Sequence, residues 1–212
     1  LKLARVWLVS RKLLQKYAAS GVIGFGGYAS APPIVAASQL GIPSMLKQGD
    51  AILGRANAFV AGRVRKICLG FPDTASVPKS LLNKVAVVGV PMRQEIEMLN
   101  DSIYSGPKTK INILCLGGSL GAKVFNTLVP KAIHNLNQDQ RDQIRLVQQV
   151  TSAQDRKTLE TTYREMRVDA TLLSYIYDMA GQLSQSDLVI ARSGSTTVHE
   201  ISAVGRAAIF IP

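Results

Sequence analysis

The chain contains 212 residues, 47% of them hydrophobic, and carries a formal net charge of +11 at pH 7. This length can bury one large core or two modest ones. No apolar run approaches the roughly 20 residues that a membrane-spanning helix requires. Two scattered histidines disfavour a metal site. Cys68 and Cys115 lie in apolar runs and are predicted to be buried, reduced thiols.

The positive charge is concentrated in the first half of the chain. Residues 1–110 contain 15 Lys and Arg against 5 Asp and Glu, whereas residues 111–212 contain 10 against 9. This excess is explained either by solubility or by an anionic partner, which would be a membrane surface or a nucleic acid. Nucleic-acid binders interleave aromatic and basic residues, and no such motif occurs here. We therefore expect no nucleic-acid partner.

The first predicted element is a helix over residues 2–17. Its predicted core-facing stripe, at helical spacing, consists of Leu3, Val6, Leu13, Leu14 and Tyr17. The apolar arc is widened by Trp7, Leu8 and Val9, and Lys and Arg side chains border it. Core packing explains most of this pattern. An apolar face framed by cations is equally typical of a helix that lies in a lipid interface, so both interpretations stay open.

Apolar runs and glycine-rich turns then alternate up to residue 100, which predicts a first α/β domain over residues 1–100. The predicted strands are residues 22–25, 42–46, 64–69 and 85–88. One helix is predicted after Pro33, because proline suits a first helical turn. A second helix is predicted over residues 52–62. Three glycines within four residues end the first strand, and this density favours a turn that faces a ligand.

A polar stretch with a Gly-Pro break predicts a linker over residues 101–110, followed by a second α/β domain over residues 111–212. Strands are predicted over residues 111–116, near 172–174, and over 188–190 and 207–211. Residues 144–166 are predicted to form a strand followed by a helix. Helices are predicted over about residues 124–136 and after Asp178. A last helix is predicted to have Thr196 or Thr197 as its N-cap and to end at Gly205.

Two turns of this second domain are suited to binding phosphate. Residues 117–123 and 192–195 each lie between a strand and a helix and are rich in glycine or small residues. Such turns present backbone N–H groups at a helix N-terminus, where an anion is favoured. Glu200, one turn into its helix, can reach back toward that ligand. The first of these turns lacks the spacing of a dinucleotide fold and the G-K-[ST] end of a P-loop. Taken together, the two turns predict a nucleotide-sugar pocket.

Five motifs along the chain resemble, in order, the MurG family of glycosyltransferases. They are GFGGYASAP at 24–32, AILGRAN at 51–57, VVGVPMR at 87–93, GGSLGAK at 117–123 and RSGSTTVHE at 192–200. The resemblance covers nearly the whole chain and implies two Rossmann-like domains of the GT-B type. Because the chain lacks an initiator Met and stops directly after a predicted strand, we expect both domains to be incomplete.

The resemblance also implies substrates and a location. The donor would be UDP-N-acetylglucosamine, and the acceptor would be a lipid-linked muramoyl-pentapeptide of bacterial cell-wall synthesis. No metal or other cofactor is expected. The protein would lie on the anionic membrane surface at the cytoplasmic face of the inner membrane.

Roles for individual residues follow from the same motifs. Ser119 would bind the donor phosphate, Ile176 would offer backbone groups to the uracil, and Arg93 would pair with the diphosphate. Gly26, Gly27 and Tyr28 would face the acceptor. The ribose and diphosphate would be surrounded by Ser195, Thr196, Thr197, Val198, His199 and Glu200. No catalytic residue is assigned, because the glycine-rich loop with the family's catalytic group would precede Leu1.

Three positions depart from the family pattern at the cleft. Asp50, Val90 and Leu120 stand where the family has Asn, Asn and Gln. Asp50, assigned to substrate binding, would place a negative charge near a diphosphate, which should weaken binding. These changes keep an alternative open, namely a non-catalytic nucleotide-sugar-binding or scaffold derivative of the family.

Overall fold

A computed structural model describes residues 2–100, 104–107, 109–118 and 123–211. The chain divides into two compact units, Leu1–Pro91 and Met92–Pro212, here called the first and second units. A short helix just after the division packs on helices of the second unit, and its Ile96 is fully buried in that unit's core. By this division the predicted linker lies within the second unit, and residues 101–103 and 108 fall outside the described residues.

The first unit contains a parallel sheet in the order β1-β2-β3-β4. Its strands are β1 (Val22–Gly24), β2 (Ser44–Gln48), β3 (Lys66–Leu69) and β4 (Val85–Val87). Its helices are α1 (Lys2–Lys16), α2 (Ala31–Gln39) and α3 (Arg55–Val60), with 3₁₀ turns at Tyr28–Ser30, Ala61–Arg63 and Lys79–Lys84. Leu46 of β2 pairs with Gly24 and Ile67 on either side and is fully buried, so the core lies around the middle of this sheet.

Several element boundaries in the first unit differ from the sequence predictions, among them the starts of β2 and α3. The second strand starts at Ser44 rather than at residue 42, because Pro43 has no N–H to donate to the ladder. The third helix starts at Arg55 rather than at residue 52. Ile52 instead forms a parallel bridge with Ala75, and Gly54 is still extended.

The predicted core stripe of α1 is wrong at three of its five positions, whereas Leu14 lies on the packed side as predicted. Val6, Leu13 and Tyr17 are 46%, 46% and 71% exposed, and the side chain of Leu3 lies outside the described residues. The helix packs on α2 through a different stripe, which contains Trp7, Ser10 and Leu14. Because apolar residues cover most of this helix, periodicity alone did not identify the buried side. The side chains of Val6, Leu8, Val9 and Leu13 therefore face away from the core.

The second unit contains a five-stranded parallel sheet in the order β7-β6-β5-β8-β9. Its strands are β5 (Ile111–Leu116), β6 (Ile144–Gln149), β7 (Asp169–Leu173), β8 (Leu188–Arg192) and β9 (Ala207–Ile211). Its helices are α4 (Gln94–Glu97), α5 (Phe125–His134), α6 (Gln138–Asp142), α7 (Ala153–Glu165), α8 (Met179–Gln185) and α9 (Ser195–Val204). Leu114 and Leu116 belong to one buried cluster and Cys115 to another, so both faces of the sheet are covered, as in Rossmann-type folds.

The helix ends of the second unit confirm one prediction and correct another. Gly205 ends α9 in the left-handed conformation, with φ of +65°. The N-cap of α9 is Gly194 rather than Thr196 or Thr197, and no side chain among the described residues caps it. Asp178 caps α8 by accepting a 2.8 Å hydrogen bond from the Gly181 N–H. None of the described helices combines the length and the apolar character needed to cross a membrane.

Candidate functional site

The second unit has a cavity of about 420 Å³ at the carboxyl edge of its sheet. It opens beside the ends of β5 and β8, which are neighbours in the sheet although four helices and two strands separate them in the chain. At such a switch point the following helices turn to opposite faces and leave a crevice for a ligand. The lining consists of Arg93, Leu116, Gly118, Gln149, Tyr175, Ile176, Met179, Gly194, Ser195, Thr196, Thr197 and Glu200.

The first turn of α9 forms one wall of this cavity. Gly194 is extended, so the chain leaves β8 and enters the helix without a side chain at the N-cap. The N–H groups of a first helical turn have no acceptor within the helix. They and the helix dipole make this wall favourable for an anion, and the hydroxyls of Thr196 and Thr197 add polar groups beside it.

Glu200 supplies the negative charge of the cavity. Its carboxylate is buried, and Oε1 has no hydrogen-bond partner among the described residues. The Arg93 Nε lies 3.9 Å from that oxygen, at the limit of an ion pair. Burial raises the pKa of Glu200, and the positive charge of Arg93 partly opposes this shift. A buried carboxylate that lacks hydrogen bonds is costly, and hydroxyl donors from a ligand would relieve that cost.

The loop between β7 and α8 forms the opposite wall. Ile176 is buried at 5% exposure, whereas the neighbouring Tyr175 is half-exposed and also lines the cavity. The Tyr175 ring meets the Tyr177 ring edge-to-face at 4.8 Å between centroids. An apolar wall with an aromatic ring is suited to a flat heterocyclic base.

The cavity brings together six of the ten residues predicted to bind substrate: Arg93, Ile176, Ser195, Thr196, Thr197 and Glu200. Val198 and His199 lie on α9 but do not line it. His199 is instead tied to its own helix, with Nδ1 at 2.8 Å from the Ser195 carbonyl oxygen. Ser119 falls outside the described residues, and Asp50 belongs to the first unit.

The first unit has a separate cavity of about 300 Å³, also at the carboxyl ends of its strands. It contains Asp50 and the predicted acceptor loop. Its lining consists of Phe25, Gly26, Gly27, Tyr28, Gln48, Gly49, Asp50, Gly54, Arg55, Ala56 and Asn57. Gly26 has φ of +91°, and a Cβ there would lie 3.4 Å from Asn57 Nδ2, so this turn requires glycine.

A buried amide pair organises this first cavity, and the sequence analysis assigned neither residue. Asn57 Nδ2 donates to Gln48 Oε1 at 2.9 Å, and the same oxygen accepts from the Gly54 N–H at 3.1 Å. Gln48 Nε2 lies 3.5 Å from Asp50 Oδ2. Asn57 Oδ1 is buried without a hydrogen-bond partner among the described residues. The available signal was the position of Asn57 at the end of the AILGRAN motif.

An apolar cleft of about 520 Å³ lies beside this cavity, between α1, α2 and α3. Its lining consists of Ala4, Trp7, Tyr28, Ala31, Pro32, Val35, Arg55, Ala56 and Phe59. Trp7 donates its indole N–H to Gln39 Oε1 at 2.9 Å, which fixes the ring against α2. Tyr28 and Phe59 are 75% and 65% exposed, so the cleft opens onto a wider apolar surface.

Family models match both parts of the chain. Residues 1–69 match the N-terminal domain of glycosyltransferase family 28, and residues 112–212 match its C-terminal domain. The chain belongs to glycosyltransferase family 28. These matched regions include the turn with Gly26 and Gly27, the first turn of α9 and Glu200. The predicted fold class, α/β with parallel Rossmann-like sheets resembling GT-B proteins, is confirmed.

Named relatives of this family 28 chain carry one enzyme name. Proteins of Paramagnetospirillum magneticum and Nitrobacter hamburgensis, 38% and 34% identical over 96% and 100% of this chain, are UDP-N-acetylglucosamine–N-acetylmuramyl-(pentapeptide) pyrophosphoryl-undecaprenol N-acetylglucosamine transferases. The crystal structure of Acinetobacter baumannii MurG is 29% identical, covers the whole chain and has a TM-score of 0.74. This chain spans 55% to 58% of the length of these proteins. The predicted resemblance to the MurG family is confirmed.

Proposed function

We propose that this protein transfers N-acetylglucosamine from UDP-N-acetylglucosamine to a lipid-linked muramoyl-pentapeptide. The observation that carries this proposal is the buried carboxylate of Glu200, which lacks a hydrogen-bond partner among the described residues and faces a cavity at the switch point of the sheet. The enzyme name shared by relatives along the chain supports the same donor and acceptor. It also favours a transferase over the alternative of a scaffold derivative.

The donor fits the second-unit cavity group by group. The ribose hydroxyls donate hydrogen bonds to the Glu200 carboxylate, whose Oε1 accepts none from the described residues. The diphosphate lies against the first turn of α9, where unpaired N–H groups and the helix dipole stabilise its charge. The uracil lies against the backbone of Ile176, with the Tyr175 ring on the same wall. Arg93 lies between Glu200 and solvent, so its guanidinium can also reach a phosphate oxygen.

This arrangement assists the chemistry mainly at the leaving group. The acceptor hydroxyl attacks the anomeric carbon and gives up its proton to solvent, the bond from that carbon to the diphosphate oxygen breaks, and negative charge develops on the departing UDP. Fixed donors aimed at developing charge lower a barrier more than mobile water does. The N-terminus of α9 and Arg93 are such donors. We assign no general base to the described residues.

The acceptor is assigned to the first unit. The positive φ angles at Gly26 and Gly27 expose backbone groups in its cavity, and Asn57 Oδ1 has no hydrogen-bond partner among the described residues. Beside it, the apolar cleft and the exposed side chains of α1 are suited to a lipid surface, and the net charge of residues 1–110 favours an anionic one. We therefore propose a peripheral position on the cytoplasmic face of the inner membrane.

Titration calorimetry of the whole 212-residue chain with UDP, ADP and GDP tests the donor assignment. UDP should bind about tenfold more tightly than either purine nucleotide, because the proposal places a single pyrimidine ring against the backbone of Ile176. Adding free uracil or pyrophosphate separates the contributions of base and phosphates. Equal affinity for all three nucleotides would contradict the proposal.

A further inference from the structure

The buried amide pair of the first cavity leaves one oxygen atom unused. Asn57 and Gln48 are 2% and 4% exposed, and both line the cavity. Asn57 Oδ1 is buried and has no hydrogen-bond partner among the described residues. A buried polar atom without a partner is costly, so its persistence at the wall of a cavity needs a reason. This oxygen is therefore a candidate contact for a ligand.

The orientation of both amides follows from one backbone group. The Gly54 N–H can only donate, so the Gln48 atom that it meets at 3.1 Å must be the carbonyl oxygen, Oε1. That oxygen lies 2.9 Å from the Asn57 amide, which must then present its NH₂ group. The same nitrogen donates to the Lys47 carbonyl oxygen at 3.4 Å. Exchanging oxygen and nitrogen in either amide would place two donors or two acceptors together, so Asn57 Oδ1 is the atom left over.

An amide oxygen can only accept, so the group that it binds must carry a donor, which is a hydroxyl or an N–H. A deprotonated diphosphate and a hydrocarbon chain have no donor. Asp50 lines the same cavity, and its carboxylate adds acceptors and a negative charge that disfavours a phosphate beside it. In the acceptor proposed above, donors occur in the muramoyl-pentapeptide. The Asn57 side of the cavity therefore suits the sugar, and the backbone of Gly26 and Gly27 is left for the diphosphate.

We propose that Asn57 is a specificity-determining residue for the acceptor: its Oδ1 accepts a hydrogen bond from a hydroxyl of the muramoyl sugar. Gln48 acts through Asn57 as a positioning residue, because its Oε1 holds the amide with the oxygen toward the cavity. This inference rests on the proposed function, since it takes the proposed acceptor as the ligand. The contact distinguishes the sugar-bearing acceptor from a lipid diphosphate without a sugar. Its loss should lower acceptor affinity about tenfold, the scale of one buried hydrogen bond.

The test measures binding of two probes to the whole 212-residue chain by titration calorimetry. One probe is a muramoyl-pentapeptide diphosphate with a short lipid, and the other is the same lipid diphosphate without the sugar and peptide. At about pH 8 their phosphates carry no proton to donate. Asn57→Leu removes the oxygen at similar volume and leaves Gln48 Oε1 paired with the Gly54 N–H. This variant should bind the first probe about tenfold more weakly than the parent and the second equally well. Equal losses for both probes, or no loss for either, would overturn the proposal.

Ser44→Ala is the matched control. Ser44 Oγ is also buried without a partner among the described residues, but Ser44 begins β2 and is not among the residues that line the cavity. Both probes should bind this variant as they bind the parent. A loss of the sugar-bearing probe as large as in Asn57→Leu would contradict a direct contact.

The unfolding temperature separates binding from a structural role. In Asn57→Leu it should stay within about 3 °C of the parent, because removal of the unpaired oxygen offsets the lost hydrogen bond. A larger fall would make Asn57 a structural tie between β2 and α3 and would overturn the proposal. If the parent binds neither probe, the proposed acceptor fails and this inference with it. If the parent binds both probes and Asn57→Leu leaves their affinities unchanged, this inference alone fails.

Discussion

The two cavities lie at equivalent places, the carboxyl ends of parallel strands, but they treat their polar groups differently. In the first unit Gln48 and Asn57 bond to each other, and Gln48 also accepts from the Gly54 N–H. In the second unit Glu200 is buried without a hydrogen bond from the described residues, 3.9 Å from Arg93. The first cavity therefore has a largely internal network, which ties the end of β2 to the start of α3. The second cavity has an acceptor oxygen, Glu200 Oε1, that receives no hydrogen bond from the described residues and could accept one from a ligand.

This difference gives the two cavities different requirements for the two substrates proposed above. An unsatisfied buried carboxylate costs stability in the free protein, and a ligand with hydroxyl donors recovers that cost on binding. The amide network of the first unit costs little in the free protein, because most of its members are paired. We therefore expect nucleotide affinity to depend on one residue in the second unit, and the shape of the first cavity to depend on its backbone.

Replacing Glu200 by Ala is the largest expected perturbation of this contrast. UDP affinity should fall by about 5- to 150-fold, corresponding to about 1–3 kcal/mol for hydrogen bonds to a charged group. Calorimetry with UDP measures it. Glu160→Ala, an exposed glutamate on α7, is the matched control and should bind like the parent. An unchanged affinity in Glu200→Ala would remove the carboxylate from the donor site.

Replacing Gly26 by Ala tests the backbone side of the contrast. With φ of +91° at this position, a Cβ introduces strain, and the free energy of unfolding should fall by about 1–2 kcal/mol. Urea denaturation measures the change. Gly62→Ala is the control, because Gly62 has an ordinary φ and nothing within 4 Å of an added Cβ. Equal effects at the two glycines would show that the turn is not constrained.

Replacing Glu200 by Gln should stabilise the free protein while weakening UDP binding. Because burial raises the pKa of this carboxyl above 4.5, its ionisation costs stability as pH rises from about that value. The variant should therefore unfold at a higher temperature near pH 7, by roughly 2–4 °C for about 1 kcal/mol in a chain of this size. The gap should close as pH falls toward 4.5. A gap that does not vary with pH would point to packing instead.

The smallest expected effect concerns the surface of α1. Leu8 is 50% exposed, so Leu8→Ser should leave the unfolding temperature unchanged. It should reduce binding to vesicles of anionic lipid by about fivefold, or about 1 kcal/mol. Sedimentation with vesicles measures this. Leu14→Ser, on the packed side, should instead lower stability. A lower unfolding temperature for Leu8→Ser would show that Leu8 contributes to packing and would contradict a lipid-facing role for this side of α1.

The sequence predicted the strands and most helices, because alternating apolar runs and glycine turns are local signals. Glu200 was predicted from its spacing after the glycine turn, and it does line the cavity, although its role stays a prediction. Gln48 and Asn57 were missed, because a buried amide pair depends on how β2 meets α3 and leaves no periodic trace. The buried side of α1 was predicted wrongly for a related reason, because an apolar arc that wide does not indicate which side of the helix faces the core.

The order of the strands has a consequence for how the protein folds during synthesis. In the first unit β1 to β4 lie side by side in the order in which they are made, so each can join the sheet as it appears. In the second unit β5 needs β8, and the backbone of Asn112 bonds to Asp187, 75 residues further along. Contacts this distant in the chain slow folding and leave strand edges exposed meanwhile. The half proposed to bind the nucleotide is therefore expected to fold late and to be prone to aggregation, and the half proposed to meet the membrane is expected to be ordered first.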